Sequence, residues 1–116
     1  MRKELENRLI SLCVGINKFV KGLPKSTLNT SLGEQLIRSS TSAALNYGEA
    51  QGAESKNDFI HKTSVVLKEL RETKVALKMI QQAQLCNNPE LLNLMLKESN
   101  ELIAIFVSTI KTTRSN

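Results

Sequence analysis

The stretch Gln35–Phe59, QLIRSSTSAALNYGEAQGAESKNDF, determines how the rest of the chain folds. Its first part has helical periodicity and carries an unusually polar seam, made of Ser39, Ser40, Ser42, Asn46 and Glu49. Gly52 then interrupts the helix, and Ser55 with Asp58 three residues later is a signature of a capped helix start. The stretch therefore predicts the end of one helix and the beginning of the next.

Before this stretch, apolar residues recur at steps of three and four from Leu5 to Leu23. This spacing predicts one helix at about residues 3–21, with a single apolar face. Gly22 and Pro24 end it, because glycine favours a left-handed cap and proline cannot continue the backbone hydrogen bonds. The connection that follows offers several capping side chains, so the second helix starts anywhere from Ser26 to Ser31.

After Gly52, a third apolar stripe runs from Phe59 to Ile80 and predicts a helix that reaches as far as Leu85. Asn88 followed by Pro89 predicts a fourth helix start, which frays near residue 112. Four helices with short connections indicate an all-α fold, an up-down-up-down antiparallel four-helix bundle, as a single domain over residues 1–116.

Composition limits the classes of protein that fit. The chain has 16 Lys plus Arg against 11 Asp plus Glu, a net charge of +5, which favours anionic partners such as nucleic acid. Cys13 and Cys86 match no metal spacing and are expected to be reduced and buried. The charged N-terminus is unlike a signal peptide and no apolar run is long enough to span a membrane, which indicates a cytoplasmic protein with no membrane partner.

The third helix carries more apolar residues than a single-faced surface helix needs. Those off its main stripe are Val65, Val75, Ala76 and Met79. Apolar residues on an outer face indicate contact with another subunit. The sequence therefore predicts a homo-oligomer with these residues at the contact.

The polar seam has two interpretations, a binding or catalytic pocket and a structural hydrogen-bond network. Buried Asn and Glu side chains need partners, and the next helix offers them. The structural interpretation is favoured, because such a network fixes the register of two helices. Its expected members are Arg38, Ser42, Asn46, Glu49, Glu69 and Thr73.

An enzyme is the remote alternative, either metal-dependent or hydrolytic, with Glu49, Asp58 and His61 as its site. His61 is the one histidine in the chain. It shows no spacing typical of a catalytic triad, and a metal-binding bundle needs a second carboxylate–histidine motif. The sequence therefore predicts no enzyme, no metal and no cofactor.

Two basic clusters are candidates for phosphate contact. The residues are Lys68, Arg71, Lys74 and Lys78 on the third helix and Lys18, Lys21 and Lys25 at the end of the first. A row of cations along a helix can follow a phosphate backbone, although a solvated face is the simpler interpretation. No aromatic residue lies among them, so stacking on single-stranded bases is not expected.

Motifs on both sides of Gly52 resemble those of a known family. They comprise Arg38, Ser42, Asn46 and Glu49, then Ser55, Lys56 and Phe59, and finally Glu69-Leu70 with Glu72-Thr73. In this combination they resemble the 23S rRNA intervening-sequence proteins. The chain departs from the family pattern at Gly48, where alanine is usual, at Ala50, where glycine is usual, and at Asp58, where Glu is usual.

The resemblance implies a four-helix bundle that assembles with itself, as a pentamer in known members, and it brings no established catalytic residues. Many members are encoded within insertions in bacterial large-subunit rRNA genes. A related branch is similar to the accessory variability proteins of diversity-generating retroelements, which implies RNA or DNA and a reverse transcriptase as partners. A protein–protein scaffold without nucleic acid is the alternative role.

Overall fold

The computed structural model describes residues 2–116, with only the backbone for Arg2. It contains four α-helices in this range: α1 Arg2–Lys21, α2 Thr27–Gln51, α3 Lys56–Ala83 and α4 Pro89–Ser115. The all-α fold class is confirmed.

Helices α2, α3 and α4 each begin at a residue whose side chain caps the helix. The Ser55 hydroxyl accepts a hydrogen bond from the backbone N–H of Asp58 at 3.0 Å, and the Asn88 side chain accepts one from Leu91 at 3.2 Å. Both predicted starts are confirmed. For α2 the cap is Ser26, which accepts from the backbone N–H of Asn29 at 2.9 Å.

Two helix ends differ from the prediction. Helix α3 ends at Ala83 instead of near Leu85, because Gln84 adopts the left-handed conformation with φ of 54°. Helix α4 continues to Ser115 and shows no break near residue 112. The break at Gly52 lies where it was predicted, one residue after the end of α2.

The four helices form the predicted up-down-up-down bundle. Helix α1 packs against α2 and α4, and α3 packs against the same two helices. The bundle is elongated, with extents of 46 × 21 × 19 Å. Side chains from all four helices fill its centre, and the largest fully buried ones include Leu9, Ile16, Leu36, Leu70 and Phe106.

Aromatic and small residues set the distances between helices inside the bundle. The rings of Tyr47 and Phe106 meet edge to face, with centroids 5.3 Å apart. At Gly33, α1 and α2 come so close that an added Cβ atom would lie 2.9 Å from a methyl group of Val20. A glycine here therefore permits the close approach of the two helices.

A buried amide joins two loops at one end of the bundle. The Asn29 side chain is 4% exposed, and its Nδ2 donates to the backbone oxygens of Pro24 at 2.7 Å and of Leu85 at 3.2 Å. Pro24 lies in the α1–α2 loop and Leu85 in the α3–α4 loop. One side chain thus links the first half of the chain to the second.

Both cysteines are free thiols. They are half-buried, whereas the sequence predicted buried side chains. The Sγ of Cys13 lies 3.4 Å from the hydroxyl of Thr41, so this thiol belongs to the α1–α2 contact. Across residues 2–116, none of the helices is long and apolar enough to cross a membrane.

Candidate nucleic-acid and subunit interfaces

A cluster of polar side chains joins α2 to α3. Arg38 of α2 donates to Glu69 of α3 at 2.9 Å and also to Glu72. Next to this ion pair, the hydroxyls of Ser39 and Thr73 are hydrogen-bonded at 2.6 Å, and both residues are buried. Since Glu69 is 4% exposed, the cluster holds a carboxylate inside the helix pair.

The charges in this cluster are stabilised by one another. Burial alone raises the pKa of Glu69, but hydrogen bonding, above all from Arg38, outweighs it, so the pKa of this carboxyl lies below its ordinary value. The same hydrogen bonds to Glu69 and Glu72 raise the pKa of Arg38. Glu69 is therefore a charged residue at neutral pH, held by its partner across the helix contact.

This cluster contains only some of the residues predicted for the polar network. Arg38, Glu69 and Thr73 come together, and the side chain of Asn46 donates locally to the backbone and hydroxyl oxygens of Ser42. Glu49 is exposed and has no hydrogen-bond partner among the side chains that the structure describes. Ser39, which was not among the predicted members of the network, makes the buried hydrogen bond to Thr73.

The residues of the enzyme alternative are engaged in local contacts or exposed. Asp58 accepts a hydrogen bond from the backbone N–H of Glu54 and pairs with Lys62, contacts that lower the pKa of its carboxyl. His61 is exposed on α3. Within residues 2–116, no group of three His, Cys, Asp or Glu side chains is placed to hold a metal ion.

The basic residues of α3 lie at the surface. Lys68, Arg71 and Lys78 are exposed and Lys74 is half-buried. The cluster at the end of α1, made of Lys18, Lys21 and Lys25, is also exposed. None of these seven forms an ion pair with a described residue.

The fold adds two cations that the sequence analysis missed. Lys111 and Arg114 of α4 join Arg71 around a cavity of about 360 Å³, whose apolar wall is formed by Leu67, Val107 and Ile110. No acidic side chain lines it. We call Arg71, Lys74, Lys78, Lys111 and Arg114 the α3–α4 basic surface. Helical periodicity shows which side of α4 carries Lys111 and Arg114. It does not show that this side lies next to Arg71, which depends on how α4 packs against α3.

An apolar groove of about 550 Å³ lies between α2 and α3. Its floor is formed by Leu32, Val75, Ala76 and Met79, and Lys68 and Arg71 stand at its edge. Val75 is 49% and Met79 48% exposed. Of the other predicted contact residues, Val65 is half-buried, and Ala76 is 5% exposed, so its predicted place on the outer face is wrong. We call this feature the α2–α3 groove.

A second apolar surface surrounds the contact between Cys13 and Thr41. It contains four exposed side chains, Ile10 at 48%, Val14 at 49%, Ile37 at 40% and Leu45 at 67%. Ile37 and Leu45 lie one turn before and one turn after Thr41, so they share its side of α2. We call this surface the α1–α2 patch. None of these four residues was predicted as a contact residue.

The fold places the chain among small four-helix-bundle proteins. A family model for 23S rRNA-intervening sequence proteins matches residues 4–108. The chain belongs to the 23S rRNA-intervening sequence protein family, which confirms the resemblance in its motifs.

The bundle is similar to a solved structure of a protein of unknown function from Bacteroides thetaiotaomicron VPI-5482, assigned to the S23 ribosomal protein family. The TM-score is 0.81 at 27% sequence identity, and the match covers 92% of this chain and 98% of that chain. Among curated proteins, none matches the chain.

Proposed function

We propose that this protein is a non-enzymatic homo-oligomer that binds nucleic acid through the α3–α4 basic surface. The observation that carries the proposal is the cavity around Arg71, Lys111 and Arg114, where three cations meet without an acidic side chain. Unpaired cations on one surface attract a polyanion more strongly than the same charges dispersed among acids. The engagement of Asp58 in a helix start also favours binding over catalysis.

The dimensions of the surface suit a phosphate backbone. From Arg71 to Lys78 the helix rises about 10 Å, at about 1.5 Å per residue. One strand of a duplex advances about 3.4 Å per phosphate, so this length of helix faces about three phosphates. Because no aromatic residue lies on the surface, the contacts are with the backbone and not with stacked bases.

Salt dependence of binding tests this proposal. We expect the protein to bind a double-stranded RNA or DNA oligonucleotide at low ionic strength, with an affinity that falls as salt increases. The triple variant Lys78→Gln, Lys111→Gln, Arg114→Gln should lose about 0.9 from the slope of log K against log salt for each phosphate contact removed from B-DNA. Fluorescence anisotropy over a salt series measures both quantities.

The matched control removes three exposed charges outside both predicted basic clusters, by Lys3→Gln, Lys56→Gln and Lys97→Gln. It should bind as the unmodified protein does. Equal weakening by both triple variants would show that binding follows net charge alone, and absence of binding to RNA and DNA at low salt would overturn the proposal. Arg71 is left intact because it also borders the α2–α3 groove.

Self-association has separate support in the exposed apolar side chains. Large apolar surfaces are rare on monomers and mark contact sites, and this bundle has two of them, the α2–α3 groove and the α1–α2 patch. Light scattering should therefore give a mass several times the 12.9 kDa of one chain at micromolar concentration. A mass of one chain would contradict this part of the proposal and leave the nucleic-acid part standing.

A further inference from the structure

The cavity between α3 and α4 differs from the rest of the α3–α4 basic surface. Arg71 reaches it from α3, and Lys111 and Arg114 reach it from α4. All three are exposed, and none forms an ion pair with a described residue. A ligand in the cavity therefore meets cations from two helices, whereas a ligand on Lys74 or Lys78 meets cations from α3 alone.

The volume of the cavity, about 360 Å³, limits what it takes. Pockets for small molecules measure about 300–1,000 Å³, so this one is near the lower limit and suits a group the size of one nucleotide. A nucleotide inside a strand is joined to neighbours on both sides, whereas the last nucleotide is joined on one side only. The cavity therefore fits the end of a strand better than its middle.

The charges in the cavity also distinguish the end of a strand from its middle. An internal phosphate is a diester with a single negative charge, whereas a terminal phosphate carries about 1.5 to 2 and has three oxygens that accept hydrogen bonds. Two guanidinium groups and one ammonium group line the cavity, and no acidic side chain offsets them. Guanidinium donates to phosphate through two parallel hydrogen bonds, so these donors suit the more highly charged terminal phosphate.

The apolar wall of the cavity strengthens these contacts. Leu67, Val107 and Ile110 form the wall, next to the three cations. Aliphatic side chains can pack against the carbon atoms of a sugar and displace water from them. Hydrogen bonds between charged groups are stronger beside such a wall than at a fully hydrated surface. The wall thus favours a phosphate that carries a nucleoside over inorganic phosphate.

Lys74 and Lys78 lie where the strand would leave the cavity. They follow Arg71 by three and seven residues, so they lie on the same side of α3. Along the helix axis they are about 4.5 and 10 Å from Arg71, at about 1.5 Å per residue. With a terminal phosphate bound at Arg71, the diester phosphates that follow would pass these two lysines.

We propose that the cavity binds the terminal phosphate of a nucleic-acid strand, a phosphomonoester, while Lys74 and Lys78 contact the diester phosphates next to it. The inference rests on the proposed nucleic-acid binding and specifies the part of the ligand that the cavity recognises. The protein then prefers strands with phosphorylated ends to the same strands with hydroxyl ends.

Duplexes of one sequence that differ only in their ends test this assignment. They carry a 5′-phosphate, a 3′-phosphate or hydroxyl groups alone, with the fluorescent label at an internal position. We expect one of the phosphorylated duplexes to bind about tenfold more tightly than the hydroxyl-ended duplex, the scale of one added hydrogen bond between charged groups. Fluorescence anisotropy measures the three affinities, and their order shows which end is recognised.

Two double variants separate the cavity from the row of lysines on α3. Lys111→Gln with Arg114→Gln should abolish the preference, so that all three duplexes bind alike. Lys74→Gln with Lys78→Gln should weaken the binding of all three by a similar factor and leave the preference near tenfold. None of the four side chains is fully buried, so both variants should fold, which circular dichroism checks.

Three results would overturn the assignment while nucleic-acid binding stands. They are equal affinity of the unmodified protein for all three duplexes, a preference that persists without Lys111 and Arg114, and loss of the preference in the variant that lacks Lys74 and Lys78. A nucleoside monophosphate that binds as tightly as the phosphorylated duplex would also overturn it, by showing that the cavity takes a free nucleotide. Absence of binding to any duplex at low salt would instead remove the proposed function and the assignment with it.

Discussion

We expect Phe106→Ala to lower the free energy of unfolding by about 3–5 kcal/mol, the cost typical of removing a buried aromatic ring. Phe106 is 0% exposed and its ring meets that of Tyr47 edge to face. Alanine would leave a cavity at the centre of the bundle, where rigid neighbours collapse only partly. Urea denaturation followed by circular dichroism measures the change as a shift of the midpoint.

Because a small domain is stable by only about 5–15 kcal/mol, the alanine variant could be unfolded. Phe106→Leu fills most of the same volume and should cost about 1–2 kcal/mol, which keeps the prediction testable. Val107→Ala is the neighbouring control, at 42% exposure, and should change stability by less than about 1 kcal/mol. Equal costs at positions 106 and 107 would contradict the packing described for α4.

Replacement of Arg38 by methionine should cost about 2 kcal/mol at pH 7, since it leaves the buried Glu69 carboxylate without its partner. The estimate lies below the cost for a fully buried pair because the Arg38 side chain is 47% exposed, which leaves a path for water. Arg8→Met is a matched control on α1. Its partners Glu98 and Glu101 are 30% and 50% exposed, so they can be hydrated after the loss and the cost should be smaller.

The Arg38 effect should depend on pH in one direction. In the folded protein the pKa of Glu69 lies below its ordinary value of 4.5. The stabilisation is therefore complete above about pH 4.5 and is lost as the pH falls through the lowered pKa. Without Arg38, burial dominates and Glu69 takes up its proton more readily. Urea unfolding at pH 7 and pH 3 should show the difference between variant and unmodified protein shrinking at pH 3. A constant difference would indicate that the ion pair is not its source.

The sequence was sufficient for the fold because local signals agreed with one another. Apolar spacing gave the inner face of each helix, and Ser55 and Asn88 gave two starts through their own side chains. The start of α2 was ambiguous, since several serines and threonines cap equally well locally. In the structure Ser26 is the cap of α2. At the same helix start the Asn29 side chain donates to the backbone oxygen of Leu85, a contact between residues distant in sequence.

The polar cluster and the basic surface were less predictable, because they too depend on contacts between residues distant in sequence. In the polar seam, Ser39 faces Thr73 while Glu49 faces solvent, and this choice depends on how α2 is rotated about its axis. Ser39 could have been found by its spacing from Leu36 and Ala43 on the core stripe. Lys111 and Arg114 could not, because their proximity to Arg71 depends on how α4 packs along α3.

The amide of Asn29 makes the two ends of the bundle unequal. It ties the α1–α2 and α3–α4 loops together at one end. At the other end the α2–α3 loop is the one connection between helices in the described range, and no side chain links it to a second loop. Brief openings of a protein begin where the fewest contacts must break. We therefore expect fluctuations of this bundle to be larger at the end with the α2–α3 loop than at the linked end.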